Sequence, residues 1–144
     1  VTMPVREATR ADLPALRALQ GLLDAPVPGL FDDLPPGVTL VSAVDGVPVG
    51  YIHSFTGEVA HVAELVVAHA HRREGRARQL FLALLARLRR EGCRAVELVV
   101  AVENTPARTL YEELGFEERE TLVGYYGTED GEADGDAVRY RLQL

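Results

Sequence analysis

The sequence predicts an α/β layered domain on a mixed sheet, and three observations predict it. Apolar residues switch between periods of 2 and 3.6 along the chain, giving the order β-α-β-β-β-α-β-α-β-β. Two β-rich runs, "VTLVSAV" and "VPVGYIHSF", flank the turn dipeptide Asp45-Gly46, the signature of a hairpin. The 144 residues are 47% hydrophobic and 26% charged, enough for one core, and they contain no repeat and no linker. One domain spanning residues 1–144 is therefore expected, with a sheet of six to seven mostly antiparallel strands.

Each element has a local cause. "PVREAT" reads as a short first strand. Leu13, Leu16, Leu19 and Leu23 then recur at helical spacing, with Asp12 as the start and Pro14 in the tolerant first turn. Residues 24–37 hold four prolines and two glycines and read as a loop, with a short helical turn around Leu30 to Leu34. After the hairpin, "TGE" turns the chain into a third consecutive strand, "VAHVAELVV". Ala77, Leu80, Phe81, Leu84, Leu85 and Leu88 form one helix face, stopped by Gly92. Arg87, Arg89 and Arg90 fall in its last turns, where the helix dipole favours cations. "RAVELVVAV" is a strong strand. "NTPARTLYEELGF" is a short helix capped by Asn104 or Thr105, with Pro106 near its first position and Gly115 as its stop. "EERETLVGYY" and "AVRYRLQL" are the last two strands.

Composition removes several function classes. The net charge of −7 argues against general nucleic-acid binding. No apolar run approaches a membrane span, and no export signal opens the chain. A single cysteine, Cys93, forbids an internal disulfide and reads as a small packing residue, so a cytoplasmic location is expected. All fifteen basic residues are arginine, so no lysine can serve as nucleophile or Schiff base.

Against this acidic background, "HRREGRAR" concentrates Arg72, Arg73, Arg76 and Arg78 around Gly75 at a strand-to-helix junction. A helix N-terminus offers unpaired N–H groups and partial positive charge, and a glycine turn lets the backbone wrap an anion. The stretch reads as a cradle for phosphate groups, most plausibly a diphosphate. It lacks the Gly-Lys-Ser/Thr ending of a Walker loop and has too few glycines for a dinucleotide fingerprint.

Two motifs then carry a resemblance. Val67, Arg72, Gly75 and Ala77 fit the first; Asn104, Ala107, Leu110, Tyr111, Gly115 and Phe116 fit the second. Together, at this separation, they resemble the GNAT superfamily of acetyl-CoA-dependent N-acetyltransferases over nearly the whole chain. The resemblance implies helices on both sheet faces and a splay between the fourth and fifth strands. It implies that backbone groups of Leu65, Val66 and Val67 bind the pantetheine arm, an N–H near Val67 holding the thioester oxygen. The backbone from Arg73 through Glu74, Gly75, Arg76 and Ala77 to Arg78 would wrap the pyrophosphate, Arg72 opening the motif. Asn104 would bond the pantetheine arm, and Arg108 would approach the phosphates. Tyr111, two helical turns past Asn104, would protonate the departing thiolate, with acetyl-CoA as co-substrate and no metal.

The chain departs from the family pattern in places. His69 stands where a proline is frequent. A subgroup that acetylates ribosomal-protein N-termini has a glutamate at the position of Val99; Glu97 shares that strand face. Glu64, just before "LVV", is the preferred general base, with Glu97 and a water as alternatives. His53, His61, His69 and His71 supply no third ligand beside "HAH", which disfavours zinc. The acceptor side would gather Asp24, Asp32 and Asp33 with Glu129, Asp130, Glu132, Asp134 and Asp136, so a cationic amine is expected: a small molecule, or a peptide or protein amino group. The pattern "GYY…EADGDAVRYRL" resembles the N-terminal acetyltransferases and supports a peptide. Rival readings are a non-catalytic acyl-CoA-binding regulatory module and a protein binding another nucleotide. A homodimer is as compatible with the sequence as a monomer.

Overall fold

The computed structural model describes residues 3–127 and 135–144. The chain forms two compact units, Val1–Cys93 and Arg94–Leu144.

The first unit contains β1 (Val5–Glu7), α1 (Leu13–Gln20), β2 (Val38–Val44), β3 (Val47–Phe55), β4 (Val59–Val67) and α2 (Arg76–Arg90). Its strands lie in the order β1-β2-β3-β4, each antiparallel to its neighbour. The expected hairpin is present, with Asp45 and Gly46 both at positive φ, the conformation that a two-residue turn of this hand requires. Alternation along the strands gives the sheet two apolar faces. Leu13, Leu16 and Leu19 of α1 pack with Leu30, Phe31, Val41, Tyr51 and Val66 on one face. Helix α2, with Leu80, Phe81, Leu84, Leu85 and Leu88 buried, packs on β2, β3 and β4. Both helices of this unit thus arise from amphipathic stripes that a sheet face covers.

The second unit contains β5 (Ala95–Ala101), α3 (Thr105–Glu113), β6 (Glu117–Leu122) and β7 (Ala137–Gln143), with strand order β5-β7-β6, antiparallel throughout. Strand β7 lies between two partners, with Ala137, Val138 and Tyr140 buried. Strand β6 pairs on one side within the unit and is almost wholly exposed and charged, a composition that discourages further strand pairing.

Helix α1 begins at Leu13 with Asp12 as its N-cap residue and Pro14 in the first turn, as expected, behind a 3₁₀ turn over Arg10–Asp12. The Asp12 carboxylate takes two hydrogen bonds from Arg6, at 2.7 and 2.9 Å, and one from the Thr9 N–H at 2.8 Å, which closes the turn before the helix. Two local expectations need correction. The segment around Leu30 to Leu34 is a pair of turns, closed by Leu30 N–H to Val27 O and Asp32 N–H to Gly29 O; burial of Leu30 and Phe31 fixes it better than helical propensity would. Strand β6 ends at Leu122, where Gly124 at φ 69° and the Gly127 N–H to Gly124 O bond turn the chain.

Candidate functional site

The first unit contains the stretch that the sequence reads as an anion cradle. After β4, a 3₁₀ turn over His69–His71 leads to Arg73 at φ 63° and Gly75 at φ 84°, ψ 12°. Two left-handed residues so close together curl the backbone inward, and Gly75 adopts that conformation without a Cβ penalty. Gly75 is the N-cap of α2, and no side chain caps this end of the helix. A glycine N-cap has no side chain of its own to offer the first N–H groups of this 15-residue helix, a condition that suits phosphate binding at such an end. Arg72 and Arg73 are exposed. The Arg72 Nε donates to Val67 O at 3.0 Å, folding the arginine back over the end of β4.

Arg76 differs from its neighbouring arginines in where its side chain goes. Its guanidinium is buried, and it donates to Ser42 Oγ at 3.0 Å and to Glu74 Oε1 at 3.1 Å. As the first residue of α2 it turns its side chain toward the sheet and away from solvent.

Glu64 is a buried carboxylate with both oxygens engaged. Tyr51 donates its hydroxyl to Oε1 at 2.7 Å, the Val27 N–H donates to Oε2 at 2.7 Å, and the Gln20 amide donates at 3.0 and 3.3 Å. Gln20 also donates to Val27 O at 3.1 Å. One side chain thereby joins α1, the loop after it and the β3–β4 ladder. Burial, then the hydrogen bond and charge of Glu64, push the Tyr51 phenol well above its ordinary pKa, so it stays a donor. Across the ladder from Glu64 sits His53, fully buried, with Nδ1 2.8 Å from Thr39 Oγ1 and Nε2 without a partner. Burial pushes its pKa down to about 4 against the pull of Glu64, so the ring is neutral at physiological pH.

The sequence offered no signal for the roles of Gln20, Val27 and Tyr51. They meet Glu64 only through strand register and the path of the loop; period-2 alternation does place Tyr51 and His53 on one face of β3.

The second unit holds the other motif. Asn104 is the N-cap of α3, its side-chain oxygen accepting the Ala107 N–H at 3.3 Å. Any bond from this side chain to a cofactor then comes from its Nδ2 amide. Arg108 donates to Tyr140 Oη and to Val102 O, each at 3.0 Å, and lies 3.5 Å from Glu118. Those contacts anchor α3 to its own sheet. Tyr111 is buried against Phe116 and Tyr140, with ring centroids 6.0 Å away in each case. Burial, with a smaller contribution from Tyr126, pushes its phenol up to about 12, so it keeps its proton throughout the physiological range. Glu97 is half-buried with Arg141 Nη1 at 3.4 Å, and Val99 lies on the same face.

Among the remaining candidates, Asp33 pairs with Arg10 at 3.1 Å, and Asp136 accepts the Gly124 N–H at 2.9 Å. Glu129, Asp130, Glu132 and Asp134 lie outside the described residues. Among the described residues, no three His, Cys, Asp or Glu side chains converge in a metal-binding group. No helix there is long and apolar enough to cross a membrane. The Cys93 thiol donates to Gly57 O at 3.1 Å.

Comparison with known proteins places this geometry. The model of the acetyltransferase (GNAT) family matches residues 6–116. An uncharacterized N-acetyltransferase of Methanocaldococcus jannaschii is 34% identical over 93 residues, which are 59% of this chain and 41% of that protein. The ribosomal-protein-S18-alanine N-acetyltransferase of Escherichia coli shares the fold, with a TM-score of 0.86 at 23% identity over 98% of this chain and 93% of that one. So does a Bacillus subtilis acetyltransferase solved in complex with CoA, at a TM-score of 0.85 and 18% identity over 99% of both chains. The α/β fold expected from the sequence is therefore the fold of these enzymes, and the chain belongs to the acetyltransferase (GNAT) family.

Proposed function

We propose that this chain transfers an acetyl group from acetyl-CoA to a primary amine. The observation that carries the reading is the uncapped N-terminus of α2 behind the Arg73–Gly75 turn, in a chain whose residues 6–116 match the family. In this reading the backbone from Arg73 to Arg78 holds the pyrophosphate. Arg72, released from Val67 O, adds its charge. The end of β4 from Leu65 to Val67 holds the pantetheine arm.

The reaction is direct. A neutral amine attacks the thioester carbonyl, a tetrahedral species forms, an N–H near Val67 stabilises its oxyanion, and the C–S bond breaks. Tyr111 donates to the leaving sulfur. A phenol at about 12 is a weaker acid than an ordinary thiol near ~8.5. Tyr111 therefore acts first as a hydrogen-bond donor to the developing thiolate. The proton transfers to the extent that a dry surrounding also raises the basicity of the sulfur. Glu64 receives the amine's proton. Both its oxygens are engaged, so the amine reaches it by replacing the Gln20 amide, its longest contact at 3.0 and 3.3 Å.

The acceptor is a cationic amine. A peptide amino terminus is favoured over a small molecule by one feature, the exposed Val123, Tyr125 and Tyr126 beside β6, which suit an extended chain better than a compact polar amine. The E. coli neighbour is likewise named for a protein acceptor. The test is a screen of short peptides, polyamines and aminosugars with acetyl-CoA, read as released thiol with mass detection of the acetylated product. Coenzyme binding with no turnover on any amine would favour the regulatory-module reading. Preference for ATP over acetyl-CoA would end the proposal.

A further inference from the structure

Arg76 breaks a local rule. It is the first residue of α2, where the backbone already carries partial positive charge, and it is only 9% exposed. A buried cation at that end of a helix is unfavourable unless it is paired. Its partners are specific: Ser42 Oγ, on a fully buried residue of β2 beside a register shift, and Glu74 Oε1. The same Glu74 oxygen lies 3.2 Å from His71 Nδ1. Glu74 itself stands inside the anion turn, directly before Gly75. A carboxylate free to swing there would oppose a bound diphosphate.

We propose that Arg76 is a positioning residue that holds the Glu74 carboxylate away from the anion path and seats the turn on β2. The cradle then presents its N–H groups with Arg72 and Arg73 and no opposing charge. Arg76 acts through Glu74, not on the ligand. The inference rests on the acyl-CoA reading above.

Calorimetric binding of coenzyme A to the full chain tests it, using wild type, Arg76→Met, Glu74→Gln and the double variant. Arg76→Met is expected to weaken binding about tenfold, and the same change made on Glu74→Gln to cost less than about twofold, because the restrained charge is gone. The loss from Arg76→Met should shrink in about 0.5 M salt, where exposed charges are screened. Ser42→Ala removes the seat without releasing Glu74; it should lower Tm and leave affinity within about twofold. An Arg76→Met loss of equal size in both Glu74 backgrounds overturns the inference, since the residue would then only support the fold. Equal weakening by Ser42→Ala and Arg76→Met overturns it too. If Arg76→Met does not fold, Arg76→Lys, which cannot reach Ser42 and Glu74 together, replaces it under the same criteria. Wild type that fails to bind coenzyme A removes the acyl-CoA reading and this inference with it. Wild-type binding with unchanged affinity in the Arg76 variants overturns this inference alone.

Discussion

Single residues carry the sharpest expectations. Tyr111→Phe keeps the packing against Phe116 and Tyr140 and deletes only the hydroxyl. Turnover should fall about 100-fold or more, within the usual range for a general acid, while coenzyme affinity changes little. Equal rates for the two proteins would remove Tyr111 from the chemistry. Glu64→Gln should lower turnover at least about tenfold with coenzyme affinity little changed if Glu64 accepts the amine's proton. A purely structural Glu64 would lower Tm and leave turnover of the folded protein unchanged. His53 makes a stability prediction. Its folded pKa near 4 lies below the unfolded value of 6.5, so the unfolded state binds the extra proton as pH falls through that window. Stability should therefore be lost from about pH 6.5 downward, by at most about 3 kcal/mol at pH 4. His53→Gln should lose less over the same range in chemical denaturation. Of these residues, Tyr111 is legible as a site candidate because it stands in a motif of fixed spacing. The environment of Glu64 is not legible, because Gln20, Val27 and Tyr51 lie 44, 37 and 13 residues away in sequence.

At the scale of elements, the turns decide function and stability. Gly75→Glu places a carboxylate and a Cβ at φ 84° in the cradle, so coenzyme affinity should fall by tenfold or more, through like charge and left-handed strain. Normal affinity would contradict the cradle. Gly37 is more demanding: a Cβ there would lie 2.3 Å from Ser54 O, at φ 99°. Gly37→Ala should cost about 3 kcal/mol or more, measured by urea denaturation, with unchanged cradle residues. The hairpin, β4, α2 and α3 follow closely from periodicity, caps and turn residues, since those signals are local. The turns at Leu30 to Leu34 and the end of β6 do not. There a competing contact wins: the burial of Phe31, and the Gly124 turn.

For the whole molecule, charge is the long-range lever. A net charge of −7, with no lysine to compete as an internal acceptor, should favour cationic substrates. The kcat/KM for a doubly charged amine should drop several-fold between about 0.02 and 0.2 M salt, and hardly move for a neutral one. Salt-independent rates for both would remove electrostatic steering from the account. The sequence by itself determined the α/β class, the order of the elements, the glycine turn before α2 and the family resemblance. Each of these is encoded in spacing along the chain: apolar period, caps, a glycine at a fixed distance from an arginine. Only the tertiary structure decided that Arg76 turns inward to Ser42, that Glu64 is wrapped by three donors, that Arg108 serves its own sheet, and that His53 is buried neutral. Those outcomes depend on strand register and on which side chains become buried together, and burial alters what a charged group can do without altering its place in the sequence.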